Sequence, residues 1–280
     1  GWSLYLLGHI NWLIKYKNFT DFSICTYKNR MFLYEHLPIE VLEIPYQMMK
    51  EIKDFDMDGT HLFKHDTQER IHNNYLIKLF NYYYGDEYSI NEDYNKFQNE
   101  SLHESIPSSS RLKAKADKLI PYGMAVLVFP RARIGKFASR NLPKNFYVKL
   151  INRLISEFNY INIVSIGLPS SSYNLSNAIG HKQFVDLTTY KEDDMLELLI
   201  TILNSREVMA TVGSQSALPK VSLLQKVQSY MIGHERKRHT ETDNWMNTRC
   251  GFYTLDRSYK INIDNCVDHF IKWIRNENSI

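Results

Sequence analysis

Three short segments carry the residue types that hold anions, and each directly follows a run of strand-like sequence. The first is Phe129-Pro-Arg-Ala-Arg-Ile-Gly-Lys136, which puts Arg131, Arg133, Lys136 and a glycine on one loop. Guanidinium forks match the geometry of phosphate oxygens. The second is Val212-Gly-Ser-Gln-Ser-Ala217, where a glycine and small hydroxyl residues lead into a helix. Gly213, Ser214, Gln215 and Ser216 would present free main-chain N–H groups there, with Ser214 or Ser216 as the helix cap and the helix dipole favouring negative charge. The third is Ile232-Gly-His-Glu-Arg-Lys-Arg-His239, which crowds His234, Glu235, three cations and a second histidine together, ahead of Asn244 and Trp245. Ligands of open parallel sheets bind beyond the carboxyl ends of the strands, so all three segments sit where a site belongs. Each also has a plainer reading: a solvated basic loop, an ordinary helix cap, a surface charge run. Their recurrence at three strand ends favours binding.

Chemistry beyond binding needs a proton acceptor, and the candidates are His9 and Glu235. Glu235 is equally suited to contact ribose hydroxyls. His61, His65 and Asp66 follow an acidic turn at Asp54–Gly59 and carry no further pattern. The spacing His-Glu-x-x-x-His is one residue too long for a zincin helix pair. Adding Cys250 gives no familiar zinc spacing, so neither a metal nor a cofactor is expected.

The elements that must position these loops follow from periodicity. Met124–Phe129, Ile161–Ile166, Phe184–Asp186, Glu207–Val212 and Ser229–Ile232 have strand length, and the first is apolar throughout, as a strand buried on both faces is. Between them, Phe146–Phe158, Glu192–Asn204 and Ser214–Gln225 have helical spacing, and Cys266, Val267, Phe270, Ile271 and Ile274 mark a closing helix near 264–275. The N-terminal part has the same rhythm. An apolar stripe at Leu6, Leu7, Ile10, Leu13 and Ile14 precedes a strand at Phe22–Tyr27, a short helix at Met31–Leu37 and a strand at Ile39–Ile44. Alternating strands and helices predict α/β with parallel sheets. A helix is also expected over 71–84, while 89–110 reads as insertion and linker, with a hinge near 107–121.

Composition is that of a globular chain: 280 residues, 44% hydrophobic, 23% charged, net charge +3. The balance permits an anionic ligand without the strong field of a dedicated nucleic-acid binder. Three widely spaced cysteines, Cys25, Cys250 and Cys266, read as reduced thiols in a cytoplasmic protein. No run approaches the roughly 20 apolar residues of a membrane span, and the N-terminal run makes a poor signal peptide.

The opening Gly1-Trp2-Ser-Leu4, the strand and loop Phe129-Pro-Arg-Ala-Arg133 and the turn Val212-Gly-Ser-Gln-Ser-Ala-Leu218 resemble heptosyltransferase-like, family 9 glycosyltransferases. The resemblance implies two Rossmann-like domains of the GT-B type with a cleft between them. It divides the chain into an N-terminal acceptor-side domain at 1–115, a C-terminal nucleotide-sugar-binding domain at 116–262 and a closing helix at 263–280 that crosses back to the first domain. In that architecture a first strand and an acidic loop precede Gly-Trp, so an N-terminal domain truncated ahead of Gly1 is expected. The family's usual base lies in that loop, and relatives often carry Gly-x-x-His where this chain has Ser216-Ala-Leu-Pro219. The implied activity is metal-independent, inverting transfer of a sugar from a nucleotide-sugar donor to a glycan, a lipid-linked saccharide or a modified nucleic acid. A non-catalytic nucleotide-binding protein and a nucleotide-sugar epimerase are the alternatives on the same fold.

Overall fold

The computed structural model describes residues 23–26, 28–43, 106–120, 123–135, 138–190, 194–215, 217–234, 250–256 and 260–278, with single positions at 7, 10, 11, 14, 15, 18, 20 and 258. The chain forms two units, Gly1–Glu104 and Ser105–Ile280. The acidic turn at 54–59, the helix expected over 71–84 and most of the 89–110 stretch lie outside the described residues.

In the first unit Leu7, Ile10 and Asn11 are helical and buried, and Ile14 is half-buried one turn on, the spacing of a single helix face. Strand β1 (Ser23–Thr26) pairs in parallel with β2 (Glu40–Glu43), from Ser23 opposite Glu40 to Thr26 opposite Glu43. The helix expected at Met31–Leu37 is instead a 3-10 helix at Lys28–Leu33 followed by turns. Pro38 disfavours a helical conformation at Leu37, so the segment closes early, burying Leu33 and Tyr34.

The second unit is built on six parallel strands: β3 (Met124–Phe129), β4 (Asn162–Ser165), β5 (Phe184–Asp186), β6 (Glu207–Ser214), β7 (Ser229–Gly233) and β8 (Cys250–Thr254). Their spatial order is β5-β4-β3-β6-β7-β8. The first three strands step outward in one direction, and the chain then returns to the middle and steps out in the other. This is the dinucleotide-fold order, with its switch point between β3 and β6. Strand β8 has no counterpart among the expected elements.

Helices α1 (Ser110–Leu119), α2 (Lys144–Glu157), α3 (Met195–Ser205), α4 (Ala217–Leu224) and α5 (Ile263–Asn278) complete the unit. Helix α1 occupies the segment read as a hinge. It buries Leu112 and Ala116, and Arg111 bridges Asp194 and Glu197 at the start of α3, at 3.1 and 2.6 Å. Helices α2 and α5 share one core with Val126, Val128, Ile163, Ala210, Val212, Tyr230 and Ile232 of the sheet. The α5 stripe read from sequence is the buried one, and Lys149–Asp264 and Arg275–Glu157 ion pairs run along its seam with α2. Tyr230 packs against Phe270 and Trp273, each ring centroid 5.1 Å away.

This packing has two measurable consequences. Phe270→Ala empties a fully buried position and is expected to cost about 3–5 kcal/mol. Asp264→Ala, which removes an exposed ion pair, should cost under about 1 kcal/mol. Denaturant unfolding of both variants checks the ranking. Burial also pushes the Cys266 thiol up to about 12 and raises the Tyr230 phenol. The unfolded chain releases these protons at ordinary values while the native chain holds them, so unfolding is favoured as pH rises. Melting temperature should be level up to about pH 8 and fall from there toward pH 12. A flat profile across that window would contradict the burial of these groups.

Candidate functional site

At the switch point the ends of β3 and β6 lie side by side, Phe129 opposite Gly213. Only glycine fits there. A Cβ on Gly213 would stand 2.8 Å from the Phe129 Cβ and 3.2 Å from its carbonyl oxygen. The glycine therefore serves close strand approach, and it brings the loop after β3 directly beside the turn after β6.

The β3 loop is fastened by its neighbours. Arg131 forms an antiparallel bridge with Ser172 from the segment after β4. The Ala132 N–H donates to the Ser171 carbonyl at 2.8 Å, and the Tyr173 N–H donates to the Pro130 carbonyl at 2.7 Å. Gly167 makes room for the Ser172 side chain, since a Cβ there would lie 3.3 Å from the Ser172 Cβ. That segment is anchored in turn by Asp186 at the end of β5. Its carboxylate accepts the N–H groups of Leu175, Ser176 and Thr188 at 2.7, 2.9 and 3.0 Å, and the Thr188 hydroxyl at 2.7 Å. Arg131 is half-buried with its Nε enclosed, whereas Arg133 is exposed. A reciprocal pair, Arg133 N–H to Asn141 Oδ1 at 3.0 Å and Asn141 Nδ2 to the Arg133 carbonyl at 2.7 Å, fixes the main chain beneath the free-reaching guanidinium. The left-handed turn at Gly135, φ 84°, then reverses the loop.

On the other side of the switch point the structure corrects one expectation. Ser214 is the last residue of β6, opposite Ile232 of β7, with a buried side chain, and so does not cap α4. Strand β6 runs two residues past Val212 because β7 offers it partners that far. Gln215 is buried and extends the pairing, its N–H donating to the Ile232 carbonyl at 2.9 Å. Its side chain lies over Gly233, where a Cβ would stand 2.7 Å from the Gln215 Cβ. His234 follows, half-buried with Nδ1 enclosed.

The structure thus brings Arg131, Gly213 and Ser214 together, and Gln215 with Gly233 and His234 one strand further out. His9, Lys136, Ser216 and Glu235, with the rest of the basic run to His239, Asn244 and Trp245, lie outside the described residues. Sequence reasoning missed Asn141, Asp186 and Tyr147. Tyr147 is fully buried on α2, its ring 5.1 Å from Phe146 and 6.0 Å from Tyr173. Burial pushes its phenol far above the usual range, and the Arg131 main chain and the Ser214 hydroxyl offset only part of that rise. Among the described residues no group of three or more His, Cys, Asp or Glu side chains could hold a metal ion, and no helix is long and apolar enough to cross a membrane. Chemically the arrangement offers an anion two arginines, Arg131 on an anchored main chain and the exposed Arg133, at the point where the strand order reverses.

No protein-family model matches the chain, and no curated protein matches it in sequence. In structure it is similar to a glycosyl transferase family 9 protein from Veillonella parvula, at 9% identity and a TM-score of 0.60, over 99% of this chain and 94% of that one. The fold is that of a family 9 glycosyl transferase. E. coli ADP-heptose LPS heptosyltransferase II also aligns, at 14% identity and a TM-score of 0.44, over 62% of this chain and 54% of that protein, about half its length. The α/β, GT-B-like fold class and the heptosyltransferase-like resemblance read from the sequence agree with this likeness.

Gly213→Ala tests the strand approach that assembles the site. Forcing β3 and β6 apart should cost about 1–3 kcal/mol, the range of overpacked interiors. An equal change at Gly123, where a Cβ would meet nothing within 4 Å, should be near neutral. Equal denaturation midpoints for the two alanine variants would contradict the close approach.

Proposed function

We propose that this chain is an inverting glycosyltransferase that moves a sugar from a nucleotide-sugar donor to an acceptor hydroxyl. The observation that carries this reading is the placement of Arg131 beside Gly213 and Ser214 at the switch point of a fold shared over 99% of the chain with a family 9 glycosyl transferase. In such a transfer the acceptor oxygen attacks the anomeric carbon opposite the leaving diphosphate. The bond to that diphosphate breaks, and the acceptor proton passes to a base. The departing diphosphate gains charge, so cations and main-chain N–H groups held at fixed positions stabilise the transition state more than the ground state. Arg131, Arg133 and Lys136 are assigned to that charge, with the Gly213–Ser216 turn and His234 beside them. His9 and Glu235 are the candidates for the base.

In this reading residues 116–262 hold the donor and 1–115 face the acceptor, with 263–280 closing the second unit. The acceptor is a glycan, a lipid-linked saccharide or a modified nucleic acid, and the reaction takes place in the cytoplasm.

A thermal-shift screen against nucleoside diphosphates and nucleotide-sugars tests the reading, because a ligand held by the native state at 100 times its Kd stabilises by about 2.7 kcal/mol. The product's anomeric configuration, read by NMR, then tests inversion. Silence across the whole panel would overturn the donor assignment. Binding without turnover would indicate a nucleotide-binding protein, and a sugar epimerised on its nucleotide an epimerase. Within this site Arg133→Ala should weaken nucleoside diphosphate binding by about 1.5–3 kcal/mol, the worth of a hydrogen bond to a charged group. Its exposed side chain contributes little to folding, so the melting temperature should hardly move. Unchanged affinity in the Arg131→Ala/Arg133→Ala double variant would remove this loop from the site.

A further inference from the structure

The loop between β3 and α2 holds an apolar side chain out in solvent. Ile134 is 93% exposed, against 42% for Leu42 and 47% for Tyr160, the other large apolar side chains exposed among the described residues. A single exposed apolar residue is ordinary on a surface. This one is held there by its main chain. The preceding Arg133 is locked at both its N–H and its carbonyl by Asn141, at 3.0 and 2.7 Å. The following Gly135 takes the left-handed turn, and its carbonyl accepts the Ala138 N–H at 2.9 Å. Folding Ile134 back onto the core would break these bonds.

The charge around it is of one sign. No Asp or Glu occurs between Asp117 and Glu157, although the whole chain is nearly balanced at +3. Along α2 the cations of this stretch are answered by carboxylates: Lys149 pairs with Asp264, and Arg153 with Glu157 at 2.9 Å. Nearer the loop they are not. Arg133 and Lys144 are exposed and form no ion pair among the described residues. Asn141 ties Arg133 to the chain just ahead of Lys144, so the loop tip and the start of α2 are neighbours. Lys144 is the first residue of α2, whose first turn carries no acidic residue, so its charge adds to the positive end of the helix dipole. An apolar side chain among cations is the chemistry of a bilayer interface, where apolar groups enter the headgroup boundary and Lys or Arg meet phosphates. A nucleic acid would use the cations equally, but a branched aliphatic has no ring face to stack on a base. We propose that this loop docks the protein on a membrane bearing anionic phospholipid, Ile134 entering the boundary and Lys144 meeting a lipid phosphate beside it. Arg133 adds to the positive field and keeps its assignment to the donor. The inference goes beyond the transfer reading and does not depend on it.

Co-sedimentation of the intact chain with vesicles tests the inference, using phosphatidylcholine alone and phosphatidylcholine mixed with phosphatidylglycerol. Wild type should bind the mixed vesicles and not the neutral ones. Lys144→Ala should weaken that binding about 5-fold, the worth of one cation near an anionic surface. Ile134→Ser should weaken it about 10-fold, the worth of one apolar side chain taken out of water. Ile134→Trp should strengthen it, since tryptophan favours the interface. Added salt should shrink the Lys144 effect and leave that of Ile134. None of the three variants should lower the melting temperature, because both positions are exposed. No binding to the mixed vesicles would overturn the inference, and so would binding that ignores Ile134. A single-stranded oligonucleotide held more tightly than the vesicles, with a loss in Lys144→Ala but none in Ile134→Ser, would reassign the surface to nucleic acid and overturn it too. Titration with ADP and UDP separates the remaining case. Lost nucleotide affinity in Ile134→Ser, with vesicle binding unchanged, would place the side chain against the ligand and end the docking assignment. A wild type that binds vesicles but no nucleotide would remove the donor reading and leave this one standing.

Discussion

The contact between β3 and β6 is the one on which the second unit depends. Everything before β6 extends the sheet in one direction and everything after it in the other, so this single pairing joins two halves that otherwise share only helices. A parallel pair needs a long crossover, and here the crossover includes two strands and two helices. Where the halves meet, the loops that leave the two strand ends diverge to opposite sides and leave a crevice. Gly213 sets how tightly the crevice closes at its base, and the anchored main chain of Arg131 forms one wall. The site is a by-product of topology, furnished afterwards by particular side chains.

Those side chains are held at graded distances from water. Asp186, which accepts five hydrogen bonds from Leu175, Ser176 and Thr188, fixes the 172–176 segment; that segment fixes Arg131; and Asn141 fixes Arg133 without enclosing it. Rigidity therefore decreases outward, from a carboxylate hub to a guanidinium able to follow a ligand. A cation whose main chain is already ordered loses less freedom on binding than one on a loose loop, so more of each ionic contact appears as affinity.

The central strands were legible because a strand buried on both faces must be largely apolar: 124–129 is apolar throughout, and 207–212 departs from that only at Glu207 and Thr211. The closing helix was legible from its stripe alone. Strand β8 was not, since Cys250-Gly-Phe-Tyr-Thr254 has a glycine where the run needs bulk, and that glycine is there to admit Tyr230 and Trp273. Helix α1 was hidden by its charge, only Leu112 and Ala116 facing inward in a lysine-rich segment. At the site, the cations and glycines announced themselves by type. Ser214 was misread because small hydroxyl residues before a helix favour caps, and only the partner strand shows that β6 continues through it. Tyr147 carried no signal at all, because on an amphipathic helix a tyrosine in the apolar stripe is indistinguishable from core until its hydroxyl is located.

The pairing of Phe129 with Gly213 spans more than eighty residues of chain. Closing so long a loop is entropically slow, and non-local parallel pairing of this kind delays folding. The β3 loop, its Asp186 anchor and the β6 turn are all synthesised before β7, yet they face one another only once the central pair has zipped. A partly folded chain thus presents Arg131 and Arg133 without the β6 turn beside them. Closure of the crevice between β3 and β6 therefore marks the moment at which the two halves of the sheet have joined.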